Sequence, residues 1–202
     1  MQLNAPTLVV AFCALSPPTA QAATWTVNAD GSGDYLTISQ AIDAASSGDT
    51  IEISAGTFED ALDFGGKNLW LIGAGAKKTV LDAEGGATFA ITLASGETAT
   101  LEGLTIENQN AQALHTANGI VTLTDISFES LGDDEVYGGA ILAESSQLSM
   151  SDVTFIDTYA WQGGAIWATD TQISGTNVLI DGCSSVDVGG GLYLQEGSSL
   201  SL

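Results

Sequence analysis

Two sets of side chains recur at spacings that would stack them into surface rows. The first is His115, Leu142, Trp167 and Tyr193, each one residue after an apolar position (Leu114, Ile141, Ile166, Leu192). If those apolar residues point inward, strand alternation sends the four outward, onto one face. Tyr137, Tyr159 and Trp161 lie in the turns leading into the same strands. Exposed aromatic rings suit the flat faces of sugars or a protein partner. The plainer account is partial burial of the rings under neighbouring loops. His115 is the one histidine of the chain, so it builds neither a multi-histidine metal site nor, alone, a catalytic triad.

The second set is acidic. Glu102, Asp125 and Asp152, followed by Asn177, are expected at equivalent repeat positions, and Asp133, Asp134 and Glu135 form a separate acidic loop. Hard oxygen ligands of this kind would bind Ca²⁺, the one cofactor the sequence suggests. Stacked about 4.8 Å apart, adjacent carboxylates repel by about 0.9 kcal/mol in water and about 3.5 at an effective dielectric of 20. A solvated turn column, its side chains splayed apart, is the plainer account. No spacing matches an EF-hand or a GGxGxDxUx repeat.

Charge excludes several functions. There are 25 Asp plus Glu against three lysines (Lys67, Lys77, Lys78) and no arginine, a net charge of -22. Phosphate binding needs a basic footprint, so a nucleic-acid partner is excluded. A purely electrostatic grip on acidic polysaccharide fails for the same reason. Such a surface resists aggregation.

The elements that must position these rows are short strands. Aligning Gly138-Gly139-Ala140-Ile141, Gly163-Gly164-Ala165-Ile166 and Gly189-Gly190-Gly191-Leu192 brings other columns into register: Ala99, Val121, Leu148, Ile173, Leu200; then Leu104, Ile126, Val153, Val178; then Ile106, Phe128, Phe155, Ile180. A period of roughly 25 residues carried by three short strands suits a three-sided coil. No rung buries its inward face alone, so neighbours must supply the core. The expected fold is therefore all-β: a right-handed parallel β-helix solenoid of about five to seven rungs. Before it, Thr37 to Ser46 has helical apolar spacing at Ile38, Ala41, Ile42 and Ala45, with Thr37 and Gln40 as a capping box. This helix is expected to cap the N-terminal end of the solenoid.

The sequence divides into an expected secretory leader over residues 1–22 (apolar Leu8 to Leu15, cleavage after Ala20-Gln21-Ala22), a cap with first rungs over 23–68, and repeats over 69–202. The apolar run is too short to span a bilayer, and no later stretch is a better transmembrane helix. The repeats stop inside a rung, so a C-terminal cap is expected to be missing, and with it any membrane anchor. Cys13 falls in the leader and leaves Cys183 alone, a small hydrophobe in a repeat column or the partner in an intermolecular disulfide.

Two resemblances follow. Asp30-Gly31-Ser32-Gly33-Asp34-Tyr35, Thr37-Ile38, Ala41-Ile42 and Gly48-Asp49-Thr50-Ile51 resemble the N-terminal signature of pectin-lyase-like β-helix proteins, including pectin methylesterases. Gln112-Ala113-Leu114 is similar to their QAVAL segment, Gly56 to Asp60 to GxYxE, and Asp134 to Gly138 to DFIFG. The esterase resemblance implies two carboxylates, an arginine and oxyanion-site glutamines, but no QDTL segment follows and the chain has no arginine. Lyases of this fold rely on Arg or Lys, and all three lysines precede the repeats. The double-glycine rungs resemble polymorphic outer membrane protein repeats (GGA[ILV] with FxxN), although the FxxN half is absent; this resemblance implies extracellular display and adhesion.

The expectation is thus a secreted or surface-displayed, non-catalytic scaffold, adhesin-like, binding a glycan or cell-surface protein. The alternative is a carbohydrate-active enzyme of the pectin-lyase-like fold with catalytic rungs missing or degenerate. A third reading is a purely structural passenger.

Overall fold

The computed structural model describes residues 21–82, 88–107 and 112–202. The leader expected over 1–22 lies, up to residue 20, outside them. In chain order the first elements are β1 (Thr24–Val27), α1 (Ile38–Ala44), β2 (Thr50–Ile53), β3 (Gly56–Phe58), β4 (Leu62–Asp63), β5 (Leu69–Gly73) and β6 (Thr79–Asp82). Next come β7 (Phe89–Leu93), β8 (Thr98–Glu107), β9 (Gln112–Ala117), β10 (Ile120–Glu129), β11 (Ile141–Glu144) and β12 (Gln147–Ile156). The last are β13 (Tyr159–Gln162), β14 (Ile166–Thr169), β15 (Gln172–Asp181), β16 (Ser184–Val188), β17 (Leu192–Leu194) and β18 (Ser199–Ser201).

Every named strand pair is parallel, and the chain coils through about seven turns. One sheet stacks β1-β2-β5-β8-β10-β12-β15-β18; β3 and β6 join it at the side. A second stacks β4-β7-β9-β11-β14-β17, and β13 pairs with β16 in a third, two-stranded sheet. The apolar columns hold their expected register: Ala99, Val121, Leu148, Ile173 and Leu200 are successive ladder partners, as are Ile106, Phe128, Phe155 and Ile180. Within the second column the Phe128 and Phe155 rings stack with centroids 4.9 Å apart, both fully buried.

Each ten-residue strand of the large sheet makes two sides of the coil, because a residue in its middle bends it. That residue is Gly103, Asp125, Asp152 or Asn177, with φ of +66°, +52°, +57° and +55°. Only Gly, Asn and Asp enter this left-handed region cheaply. The bend therefore selects the residue types of the column.

The double glycines serve two separate purposes. The first of each pair (Gly138, Gly163, Gly189) has φ of +72°, +66° and +70°. The second needs no unusual φ, and in the first two pairs it has no room: a Cβ on Gly139 would strike the Gly164 carbonyl oxygen, and one on Gly164 the Gly190 and Ser184 oxygens.

The N-terminal helix is shorter than the 37–46 expected but lies where the spacing puts it. Thr37 caps it, its hydroxyl accepting the Gln40 N–H at 3.3 Å. Asp60 adds a second cap, accepting from Ile38 N at 2.8 Å and Ser39 Oγ at 2.9 Å, where a carboxylate also suits the helix dipole. At the other end Lys67 Nζ donates to the carbonyls of Ile42 and Asp43. The buried face, Ile38, Ala41 and Ile42, joins the core with Ile51 and Leu71.

Candidate functional site

The outer face of the second sheet carries the aromatic row. Thr92, His115, Leu142, Trp167 and Tyr193 are successive ladder partners, so the four expected residues stand side by side. All four are partly exposed, while Leu114, Ile141 and Ile166 beside them are fully buried. Alternation alone produces this division.

Contacts across rungs tie the row together. The imidazole of His115 stacks on Phe89, centroids 4.8 Å apart and planes 25° apart. His115 Nε2 lies 3.0 Å from Glu144 Oε2. Tyr137 leans from its turn onto Trp167 at 5.7 Å. The Trp167 indole N–H is buried and has no acceptor among the described residues, a state that costs roughly 1–3 kcal/mol. The patch is thus a ring-rich surface with one carboxylate-bound imidazole.

Tyr159 and Trp161 are placed differently. They occupy alternate, exposed positions on β13, with Ala160 buried between them. Their rings make no stacking contact among the described residues. Sequence reasoning missed Phe89 and Glu144. Glu144 sits two residues beyond Leu142 on the outward phase of β11, which alternation could have flagged. Phe89 is the ladder partner of Gln112, off the row, and only its ring reaches His115.

The acidic column needs a correction. Glu102 pairs with Thr124, and the position equivalent to Asp125 and Asp152 is Gly103. Asp125 Oδ2 accepts from Ala76 N, and Asp152 Oδ1 accepts from Asn177 Nδ2 at 2.6 Å. Donation from Asn177, then from Ser151, lowers the Asp152 pKa. In the other acidic loop Asp133 Oδ1 accepts the Glu135 N–H, a local turn, while Asp134 and Glu135 are exposed. Among the described residues no three His, Cys, Asp or Glu side chains gather as a metal-ligand set. Cys183 is half-buried and accepts a hydrogen bond from the Thr158 hydroxyl at 3.0 Å.

Gln112 matters for the esterase resemblance. Its side chain is buried, and Nε2 donates to both the Tyr137 and Gly138 carbonyls of the next rung. Both amide protons are thereby used to hold a turn, leaving none for an oxyanion.

No protein-family model matches the chain, nor does any curated protein sequence. Solved structures do. Pectin methylesterase from carrot superimposes with TM-score 0.54 at 18% identity over 88% of this chain and 62% of the enzyme's. A pectin methylesterase in complex with a hexasaccharide gives 0.53 at 17% over 83% and 68%. The Aspergillus niger enzyme, in deglycosylated form, gives 0.51 at 17% over 78% and 58%. This chain therefore spans less than two thirds of the carrot enzyme. The fold is the right-handed parallel β-helix of the pectin-lyase-like class. No helix among the described residues is long and apolar enough to cross a membrane.

Proposed function

We propose that the chain is a secreted β-helix protein of the carbohydrate-active class, and that it binds an uncharged stretch of polysaccharide across the outer face of the second sheet. The observation that carries this is the register-locked row His115, Leu142, Trp167, Tyr193 with Tyr137 and Phe89 against it. Sugar rings have apolar faces that stack on aromatics and hydroxyl rims that hydrogen-bond. Glu144 and His115 supply polar partners at one end of the row. A structurally similar pectin methylesterase is complexed with a hexasaccharide, which supports an oligosaccharide as ligand class.

Recognition is separated here from ester or lyase chemistry. The chain has no arginine, and the Gln112 amide is committed to backbone carbonyls. An acidic chain repels polygalacturonate, so the favoured polymer is neutral or fully esterified.

The test is affinity electrophoresis of the full chain in gels containing xylan, glucomannan, methyl-esterified pectin or polygalacturonate. Wild type should be retarded by at least one uncharged polymer and not by polygalacturonate. Trp167→Ala and Tyr193→Ala should each weaken retardation about tenfold, the loss of roughly 1.4 kcal/mol. Unchanged migration of both variants would overturn the reading.

A further inference from the structure

We propose a second, independent sugar-binding site on the large sheet, centred on Trp70 and built for an uncharged pyranoside. Trp70 sits on the outward phase of β5 and is 45% exposed. Its ladder column reads Thr24, Thr50, Trp70, Thr100, Thr122, Ser149, Ser174, Ser201. Seven of eight positions carry a small hydroxyl side chain; one carries the largest side chain available. The indole leaves nearly half of its surface in solvent, and on that half folding gains nothing from it.

The surroundings match the chemistry of a sugar. A shallow concavity beside the indole is lined by Ser47, Gly48, Asn68, Leu69, Thr98 and Thr100. None is charged, in a chain of net charge -22. Asn68 Oδ1 accepts from Thr98 N at 2.8 Å, and Asn68 N donates to Ser47 Oγ at 3.0 Å. The Asn68 side-chain NH₂ and the Thr98 and Thr100 hydroxyls take no partner within the described residues, and remain available at the rim. One aromatic face with an uncharged amide and hydroxyl rim binds a pyranose by stacking and hydrogen bonds. Lys67, the nearest cation in sequence, is held on the helix carbonyls. Glu52 and Glu102 stand in the neighbouring outward row, flanking Ile72, and disfavour an anionic sugar.

The same face continues as a groove lined by Thr122, Thr124, Ser149, Ser151, Ser174 and Thr176. Its hydroxyls repeat at about the 4.8 Å strand spacing. A polysaccharide anchored on Trp70 would run along this row. The site lies on a different sheet from the aromatic row and does not rest on it.

The experiment uses the full chain with Trp70→Thr, which extends the hydroxyl column and keeps a good strand former, alone and combined with Trp167→Ala. A cooperative melt well above the titration temperature should show that Trp70→Thr is folded. Titration with cellohexaose, xylohexaose and mannohexaose, followed by the indole N–H signals in heteronuclear NMR, should shift the Trp70 resonance with at least one of them. Trp70→Thr should weaken retardation in neutral-polymer gels, and in the Trp167→Ala background it should abolish what remains. The proposal is overturned if the Trp70 signal is silent to all three hexasaccharides, or if Trp70→Thr migrates like its parent in both backgrounds. Sensitivity to Trp70→Thr with indifference to Trp167→Ala would support this site while refuting the one on the second sheet.

Discussion

Replacing Gly164 with alanine probes the stacking of rungs directly. Its Cβ would lie under 3.0 Å from the carbonyl oxygens of Gly190 and Ser184, both backbone atoms on the next rung. Relief requires those oxygens to retreat by roughly 1 Å or more. Two ladder bonds run through the same spot, Gly164 N to Gly189 O at 3.0 Å and Ser184 N to Thr158 O at 3.0 Å. Loosening both costs about 2 kcal/mol. Overpacking strain adds roughly 1–3 kcal/mol. The sum, about 3–5 kcal/mol, lowers the melting temperature by roughly 10 °C for a chain of this size. Gly190→Ala is the matched control, because its Cβ would lie 3.8 Å from the Cys183 oxygen, an ordinary contact. With no positive φ to hold, it should be neutral or gain about 0.4–1 kcal/mol by restricting the unfolded chain. Circular-dichroism melts and urea midpoints of the three proteins decide the matter. Gly164→Ala melting within about 2 °C of wild type, or Gly190→Ala falling equally far, would refute rung contact as the reason for the second glycine.

Two further predictions concern the bend and the cap. Asn177→Ala, at φ +55°, should cost about 1–2 kcal/mol, whereas Asn177→Gly should lose less; equal melting of the two would show that the left-handed bend does not select this column. Asp49 is buried and accepts from Ser46 N at 2.9 Å, Ala23 N at 2.7 Å and Trp25 Nε1 at 3.0 Å. The Ser46 and Ala23 N–H groups hold its pKa below the usual carboxylate value against the opposing effect of burial, with the Trp25 indole adding less. A depressed folded pKa stabilises above the unfolded value of about 3.9 and is lost as pH falls through the folded one. Asp49→Asn should therefore melt lower than wild type at pH 7, and the gap should close on acidification below about pH 4; a gap independent of pH would contradict the charged-acceptor account.

The line between sequence and tertiary structure can be drawn at particular residues. Period-two alternation and the 25–27-residue repeat of the later rungs placed Val121 over Leu148 and Trp167 between Leu142 and Tyr193, because parallel ladders carry register from rung to rung. The capping helix was legible from Thr37 and its apolar spacing. Glu102 was misplaced by one residue, since a left-handed bend within an unbroken strand changes which residue sits at the corner and leaves no mark in hydropathy. Gly103 occupies that corner. The pairing of His115 with Phe89 and Glu144 depended on side-chain reach across rungs, and the use of Gln112 as a clamp on the Tyr137–Gly138 turn depended on where that turn crosses. Trp70 was hidden for a related reason. Its rung pairs with the next across a 30-residue excursion, Leu69 to Ala99, containing β6 and β7. That length breaks the later spacing, so only the folded ladder sets the indole in a column of hydroxyls. Sequence alone determined the repeating backbone scaffold, because alternation and stacking are local and periodic. Tertiary structure decided the sites, because each is assembled by turns of unequal length.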